Sequence, residues 1–191
     1  MSTLIIYAHP NKKSFNHAIL ENVMKGLKDA NRQFDVIDLY TEKFDPILVI
    51  DEEHKRRDLI NDPYTAEYRN KIEEADKLIL IYPIWWFGVP AILKGFFDRV
   101  FVSGFAFKYD GKLPQGLLKN KSAWVIYTLD SPSFYIDWLR RNAEWTVVRD
   151  SILKFCGIKK IKRTRLTSLK YSTNEKRQQW LQKIYQMAKN I

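Results

Sequence analysis

The order of segments along this chain predicts an open α/β domain, five parallel strands in one sheet with helices packed on both faces. Runs such as Leu78-Ile79-Leu80-Ile81-Tyr82 are apolar without alternation, as strands buried on both faces are. Stretches of helical period separate them; Ile92, Leu93, Phe96, Phe97, Val100 and Phe101 are one. The segments after the first and third strands are unusual in composition, and they fall where open sheets of this kind bind ligands.

Each element has its own local reason. Thr3-Leu4-Ile5-Ile6-Tyr7-Ala8 is the first strand. After His9-Pro10-Asn11-Lys12-Lys13, the triplet Ser14-Phe15-Asn16 opens a helix whose inner stripe is Ile19, Val23 and Leu27. Phe34 to Leu39 alternates apolar and polar residues, which suits a second strand nearer an edge. Residues 40–64 are irregular and charged, with Asp45-Pro46, Glu52-Glu53, Arg56-Arg57 and Asp62-Pro63. They predict short helix and loop ahead of a helix at about 65–75. Lys77 to Tyr82 is the third strand, stopped by Pro83, and Pro90 suits the first turn of the helix that runs to about Val102. Ser122 to Thr128 is the fourth strand. Trp138, Trp145, Val148, Ile152 and Phe155 then predict helix in two pieces up to Phe155. Ile158 to Leu166 is the fifth strand, and Asn174 to Lys189 a last helix with Trp180, Leu181, Ile184 and Ala188 inward.

With 191 residues, 46% hydrophobic and 28% charged, the chain suits one domain spanning 1–191 with a core of its own. No apolar stretch approaches membrane-spanning length, and Met1 to Tyr7 lacks the basic start of a secretory signal, so a cytoplasmic location is expected. Cys156 is the only cysteine, which excludes an internal disulfide and a cysteine-based metal cluster; its apolar neighbours make it a small core residue, and no metal site is expected. The net charge of +10 calls for phosphate-bearing ligands, nucleic acid, or an acidic membrane surface or partner, and sign alone does not choose. The densest basic run, Lys154 to Arg165, alternates in part with Ile158, Ile161 and Leu166. That is the pattern of an exposed strand whose charges discourage edge pairing. The aromatic residues cluster in one loop instead of interleaving with the basic run, which argues against nucleic acid. Peripheral membrane contact is compatible with the charge, but nothing else indicates it.

The two loops carry the chemistry. Serine and asparagine at a helix start can bind phosphate, because the first amides of the helix point outward and the side chains add donors; His9 could add one more. Ser14 or Asn16 could equally be a plain helix cap. Ile84-Trp85-Trp86-Phe87 with Gly88 can supply flat apolar packing and backbone donors for a planar, electron-poor ring, or a hydrophobic dimer patch. The first turn has no glycine, which argues against the G-x-G-x-x-G dinucleotide fold. The flavodoxin-like strand order 2-1-3-4-5 fits better, since its switch point lies between strands one and three.

The pattern H-P-x3-S-F-N after strand one and the block Trp86-Phe87-Gly88-Val89-Pro90-Ala91-Ile92-Leu93-Lys94-Gly95-Phe96-Phe97-Asp98-Arg99-Val100-Phe101 after strand three closely resemble the NAD(P)H:quinone oxidoreductase family. The resemblance continues through Gly104-Phe105-Ala106-Phe107, Ser133-Phe134-Tyr135 and Phe155-Cys156-Gly157. It implies cofactor roles for His9, Phe15 and Asn16, with Ser14 as a neighbour. It implies that Ile84, Trp85, Trp86 and Phe87, entered through Pro83, bind a flavin ring, and that Ala106, Phe107 and Lys108 stand beside the substrate. Thr128 begins the loop at the ring's pyrimidine edge. Where the family often reads T-T-G-G, this chain reads Thr128-Leu129-Asp130-Ser131, so that Asp130 either points away or accepts a hydrogen bond from a ring N–H. Tyr135 matches a catalytic tyrosine, but no histidine follows it. Arg140 or Arg141 falls nearby, either as a fixed cation or as part of a solvated helical face. Arg177 lies near where longer members hold an adenylate.

The resemblance implies FAD, with FMN open, NAD(P)H as cosubstrate, a quinone or similar acceptor, ping-pong kinetics and a homodimer. Two other uses of the fold stay open. A regulatory ancillary subunit of a membrane ion transporter would dock by its basic surface, and a flavodoxin-like electron carrier would need no nicotinamide site.

Overall fold

The computed structural model describes residues 2–191. Its strands are β1 (Thr3–Tyr7), β2 (Phe34–Asp38), β3 (Lys77–Pro83), β4 (Phe107–Asp110), β5 (Leu113–Gly116), β6 (Ser122–Thr128) and β7 (Lys160–Leu166). Five form a parallel sheet in the order β2-β1-β3-β6-β7, and β4 and β5 form a separate antiparallel hairpin. Counting sheet strands alone, this is the predicted order 2-1-3-4-5, the flavodoxin-like arrangement. The central strands β1, β3 and β6 are the apolar runs, and the polar, alternating β2 and β7 sit at the edges, as the cost of burying charge requires.

The helices are α1 (Phe15–Asp29), α2 (Pro63–Glu74), α3 (Ala91–Val100), α4 (Ala143–Thr146) and α5 (Asn174–Lys189); α4 continues into a wider π-type winding over Val147–Lys154. On one face of the sheet, Ile19, Val23 and Leu27 of α1 and Ile184 and Ala188 of α5 cover Ile5, Ile79, Ile81 and Trp124. On the other, Ile72, Leu93, Phe96, Val148 and Leu153 cover Leu4, Ile6, Leu80 and Val125. Truncating one such residue, for example the fully buried Leu80, costs about 2–5 kcal/mol. Gly26 lets α1 and α5 approach closely, since a Cβ there would lie 2.6 Å from the Tyr185 carbonyl oxygen.

Three local expectations are corrected. Asp62-Pro63 is not loop: the Asp62 carboxylate accepts the Tyr64 amide at 3.0 Å and Pro63 takes the first helical position, so α2 starts two residues early. Pro83 ends β3 as expected but belongs to it, as its last residue opposite Thr128, so the strand runs one residue past Tyr82. The β4–β5 hairpin was not foreseen, although its turn is Gly111-Lys112, and a glycine at the first central position, here at φ +61°, is a recognised hairpin signal. The expected break between two helical pieces is present: Tyr135–Leu139 forms one turn, and Arg141 (φ +49°) and Asn142 (φ +54°) reverse the chain before α4.

Candidate functional site

Three loops converge at the carboxyl ends of β1, β3 and β6. In the first, the Asn11 amide donates to His9 Nδ1 at 3.0 Å and Asn11 Oδ1 accepts the Lys13 amide at 2.8 Å, which folds residues 9–13 onto themselves. Ser14 caps α1, its hydroxyl accepting the His17 amide at 3.2 Å. The amides of Phe15 and Asn16 then have no partner among the described residues, so two N–H groups at the positive end of α1 point outward. Burial holds His9 below the usual histidine pKa, and the amide aimed at Nδ1 keeps that atom unprotonated, which leaves Nε2 as the donor.

Asn16 does more than face a ligand. It is 3% exposed, and its side-chain nitrogen donates to the Thr128 hydroxyl at 2.8 Å, while Oδ1 has no partner among the described residues. The bond ties the first loop to the end of β6. With the amide turned over, Thr128 donates to Oδ1 and the nitrogen becomes the spare group, so this residue can offer a ligand either a donor or an acceptor.

The third-strand loop is a two-residue hairpin. The Trp85 amide donates to the Gly88 carbonyl at 3.0 Å and the Gly88 amide to the Trp85 carbonyl at 2.9 Å, with Trp86 at φ +51° and Phe87 at φ +60°. Such a turn normally takes Asn-Gly, because left-handed backbone costs an L-residue roughly 1–2 kcal/mol. Two large aromatic residues there are a strained arrangement of the kind that clusters at binding sites. It leaves Trp86 fully exposed (101%) and Trp85 41% exposed. The Ile84 amide donates to the Thr128 carbonyl at 2.8 Å, and the His9 and Trp85 rings lie 5.9 Å apart, so all three loops are joined.

The fourth loop departs from a free edge. The Leu129 amide donates to the Leu166 carbonyl at 3.0 Å, Leu129 is buried, the Asp130 carboxylate accepts the Lys170 amide at 2.9 Å, and the Ser131 carbonyl accepts the Ser168 amide at 3.2 Å. The Asp130 carboxylate thus fastens the loop after β7. Arg177 serves the same loop, donating to the Ser172 hydroxyl and the Leu169 carbonyl rather than standing free.

Beside the hairpin, Tyr135 packs on Phe87 at 6.0 Å between ring centres. The Arg140 guanidinium lies 5.2 Å from the Phe87 ring centre, and its Nε donates to the Tyr135 hydroxyl at 2.9 Å. Arg140 rather than Arg141 is therefore the cation next to Tyr135. Ala106, Phe107 and Lys108 are not brought to this cluster. Ala106 is buried, Phe107 packs on Tyr109 and Phe155, and Lys108 is exposed on β4.

Beneath the hairpin lies a residue that sequence reasoning missed. Glu144 is 2% exposed, accepts the Tyr127 hydroxyl at 3.0 Å and lies 3.9 Å from Arg165, which binds Asp137 through both guanidinium arms at 2.8 and 2.9 Å. Burial, then the neighbouring Tyr127 and Glu144, hold Tyr82 well above the usual tyrosine pKa, so this layer stays protonated on its phenols. The signal was an acidic residue inside the apolar period around Trp145 and Val148.

A family profile described as flavodoxin-like fold matches residues 1–188. The chain is 37% identical over 182 residues to NAD(P)H dehydrogenase [quinone] 1 of Cavia porcellus, an alignment spanning 81% of this chain and 64% of that longer protein. It is 32% identical to ribosyldihydronicotinamide dehydrogenase [quinone] of Mus musculus, over 98% of this chain and 90% of the other. Among solved structures, it superposes on Smu.1420 from Streptococcus mutans UA159 with a TM-score of 0.95 and 44% identity, all of both chains covered. The NAD(P)H:quinone oxidoreductase from Methanothermobacter marburgensis gives 0.87 and 28% over 100% of this chain and 98% of that one.

Proposed function

The chain belongs to the NAD(P)H:quinone oxidoreductase family of flavodoxin-like proteins, and from that premise we propose that it is a flavin-dependent NAD(P)H dehydrogenase passing two electrons to a quinone or similar acceptor. The observation that carries this reading is the meeting of the free Phe15 and Asn16 amides with the strained Trp85–Gly88 hairpin at the carboxyl ends of β1 and β3. Outward amides suit phosphate, and an indole held in the open suits a flat ring. The residues present thus fit a flavin.

The flavin supplies the hydride chemistry, accepting from NADH or NADPH and giving to the acceptor. Every other task falls to side chains of this protein. His9 Nε2, Ser14 and the first amides of α1 hold the phosphate end, and Trp85, Trp86 and Phe87 hold the ring. Because the Leu129 amide is spent on Leu166 and the Thr128 carbonyl on Ile84, the polar edge of the ring falls to the main-chain amides of Asp130 and Ser131. Arg140 places a fixed positive charge beside Phe87 and Tyr135, where it favours negative charge gained on reduction without moving a proton. We assign FAD as the cofactor, with FMN the competing choice.

A second copy of the chain completes the site. Phe134, Trp138 and Leu139 beside Tyr135 are 67%, 86% and 68% exposed, too much apolar surface to leave wet around a redox centre. Among the described residues no helix is long and apolar enough to cross a membrane.

The test is to isolate the protein with flavin supplied, identify the cofactor released on denaturation by mass and absorbance, and follow NADH and NADPH oxidation with a benzoquinone. Bound flavin and parallel double-reciprocal lines are expected. Flavin binding without steady-state oxidation would leave an electron carrier, and absence of flavin would sink the reading.

A further inference from the structure

The opposite end of the sheet carries a second concave feature. Lys77, Ser122 and Lys160, the first residues of β3, β6 and β7, lie side by side in register. Together with the last turns of α5 they border an open cavity of about 670 Å³. Lys77, Lys160, Lys162 and Lys183 line it, and its lining includes no aspartate or glutamate. None of these four lysines makes an ion pair among the described residues; Lys162 instead lies over the Trp124 ring at 5.4 Å. Some basic groups elsewhere are matched, as in Lys94 with Asp98, Lys154 with Asp150 and Arg165 with Asp137. Burial, and then Lys162 and Arg32, hold Lys77 below the usual lysine pKa.

A concave cluster of like charges destabilises the fold unless an anion relieves it, and low-dielectric walls concentrate its field. The apolar lining here is Trp124, Met187 and Ile191, and Gln186 and Asn190 also line the cavity. Apolar walls with a few convergent polar groups describe a small-molecule site. We propose that this cavity binds a small organic anion carrying at least two negative charges on an apolar body, with the charges among the lysines and the body against Met187 and Ile191. The six steps of β3 between Lys77 and Pro83 place it about 20 Å from the hairpin, at the rise of a strand. Its occupant therefore does not compete with flavin. The site also accounts for part of the basic run Lys154 to Arg165, whose Lys160 and Lys162 turn toward α5 while Arg163 and Arg165 turn toward Asn142.

The test is calorimetric titration of flavin-saturated protein with phenyl phosphate, and separately with inorganic phosphate, at low salt. It is repeated on the triple variant Lys160→Ala, Lys162→Ala, Lys183→Ala, whose side chains are exposed and whose loss leaves the core intact. One saturable site is expected, weaker by about ten-fold in the triple variant, the combined effect of three screened charges. Phenyl phosphate should bind more tightly than inorganic phosphate because its ring covers apolar wall. Unchanged affinity in the triple variant, no saturable binding, or equal affinity for the two probes overturns the proposal. The comparison holds on the protein as isolated even where no flavin is bound, so its failure is separable from failure of the proposed activity.

Discussion

Replacing Trp86 by glycine tests whether the hairpin stores strain for a ligand. The indole is fully exposed, so its removal uncovers no core, and the φ of +51° is one glycine adopts freely. Relief of left-handed backbone returns about 1 kcal/mol, and the extra freedom of glycine in the unfolded chain takes back about 0.5 kcal/mol. The flavin-free protein should be more stable by about 0.5 kcal/mol, a rise in Tm of roughly 1–2 °C for a domain of this size. Flavin binding should move the other way. An indole lying on a flat ring buries on the order of 80 Å² of its own surface, about 2 kcal/mol at 25 cal/mol per Å², or a thirtyfold higher Kd. Urea unfolding of the flavin-free protein and fluorescence titration with flavin measure the two effects separately. Destabilisation by more than about 1 kcal/mol would refute the strain reasoning, and an unchanged flavin Kd would take the indole off the ring.

Three further outcomes follow from the geometry. Arg165→Ala should destabilise the protein by about 3 kcal/mol, because it strands the buried Glu144 without its cation, and adding Glu144→Gln should recover part of the loss in urea melts; a double variant weaker than the single would count against it. Since the folded protein holds His9 below the usual histidine pKa of about 6.5, the unfolded chain takes up its proton first on acidification. His9's contribution is thus full above pH 6.5 and lost as pH falls toward the folded pKa. The stability gap between wild type and His9→Gln should shift against wild type between pH 7 and 5, and a gap that is flat or moves in wild type's favour would contradict this. Cys156 is buried at 3% exposure with its thiol pushed up to about 12, so a disulfide reagent at pH 8 should label native protein only on unfolding; prompt stoichiometric labelling would place the thiol elsewhere.

What was legible in the chain was what is encoded locally. The apolar runs Leu4 to Tyr7, Leu78 to Tyr82 and Ala123 to Tyr127 became the three central strands because a strand buried on both faces tolerates no polar position. Ser14 as a cap and Pro90 at the entry to α3 marked helix starts, since the groups they satisfy lie within a few residues. The two unusual loops could be paired because parallel strand order puts their ends together. Asp62-Pro63 and Gly111-Lys112 are equally local signals, one of a helix start and the other of a hairpin turn. The remainder depended on contacts between residues far apart in sequence. Only the folded chain turned Asn16 inward to Thr128, spent the Asp130 carboxylate on Lys170, chose Arg140 over Arg141 beside Tyr135, and buried Glu144 against Tyr127. It alone gathered Lys77, Lys160 and Lys183, from two strands and a helix, around one cavity. The sequence by itself determined which elements form and which strand ends bind, because those follow from periodicity and caps. The tertiary structure decided which side chains are spent on the protein and which are left for a ligand, because hydrogen bonds and ion pairs are satisfied in space and not along the chain.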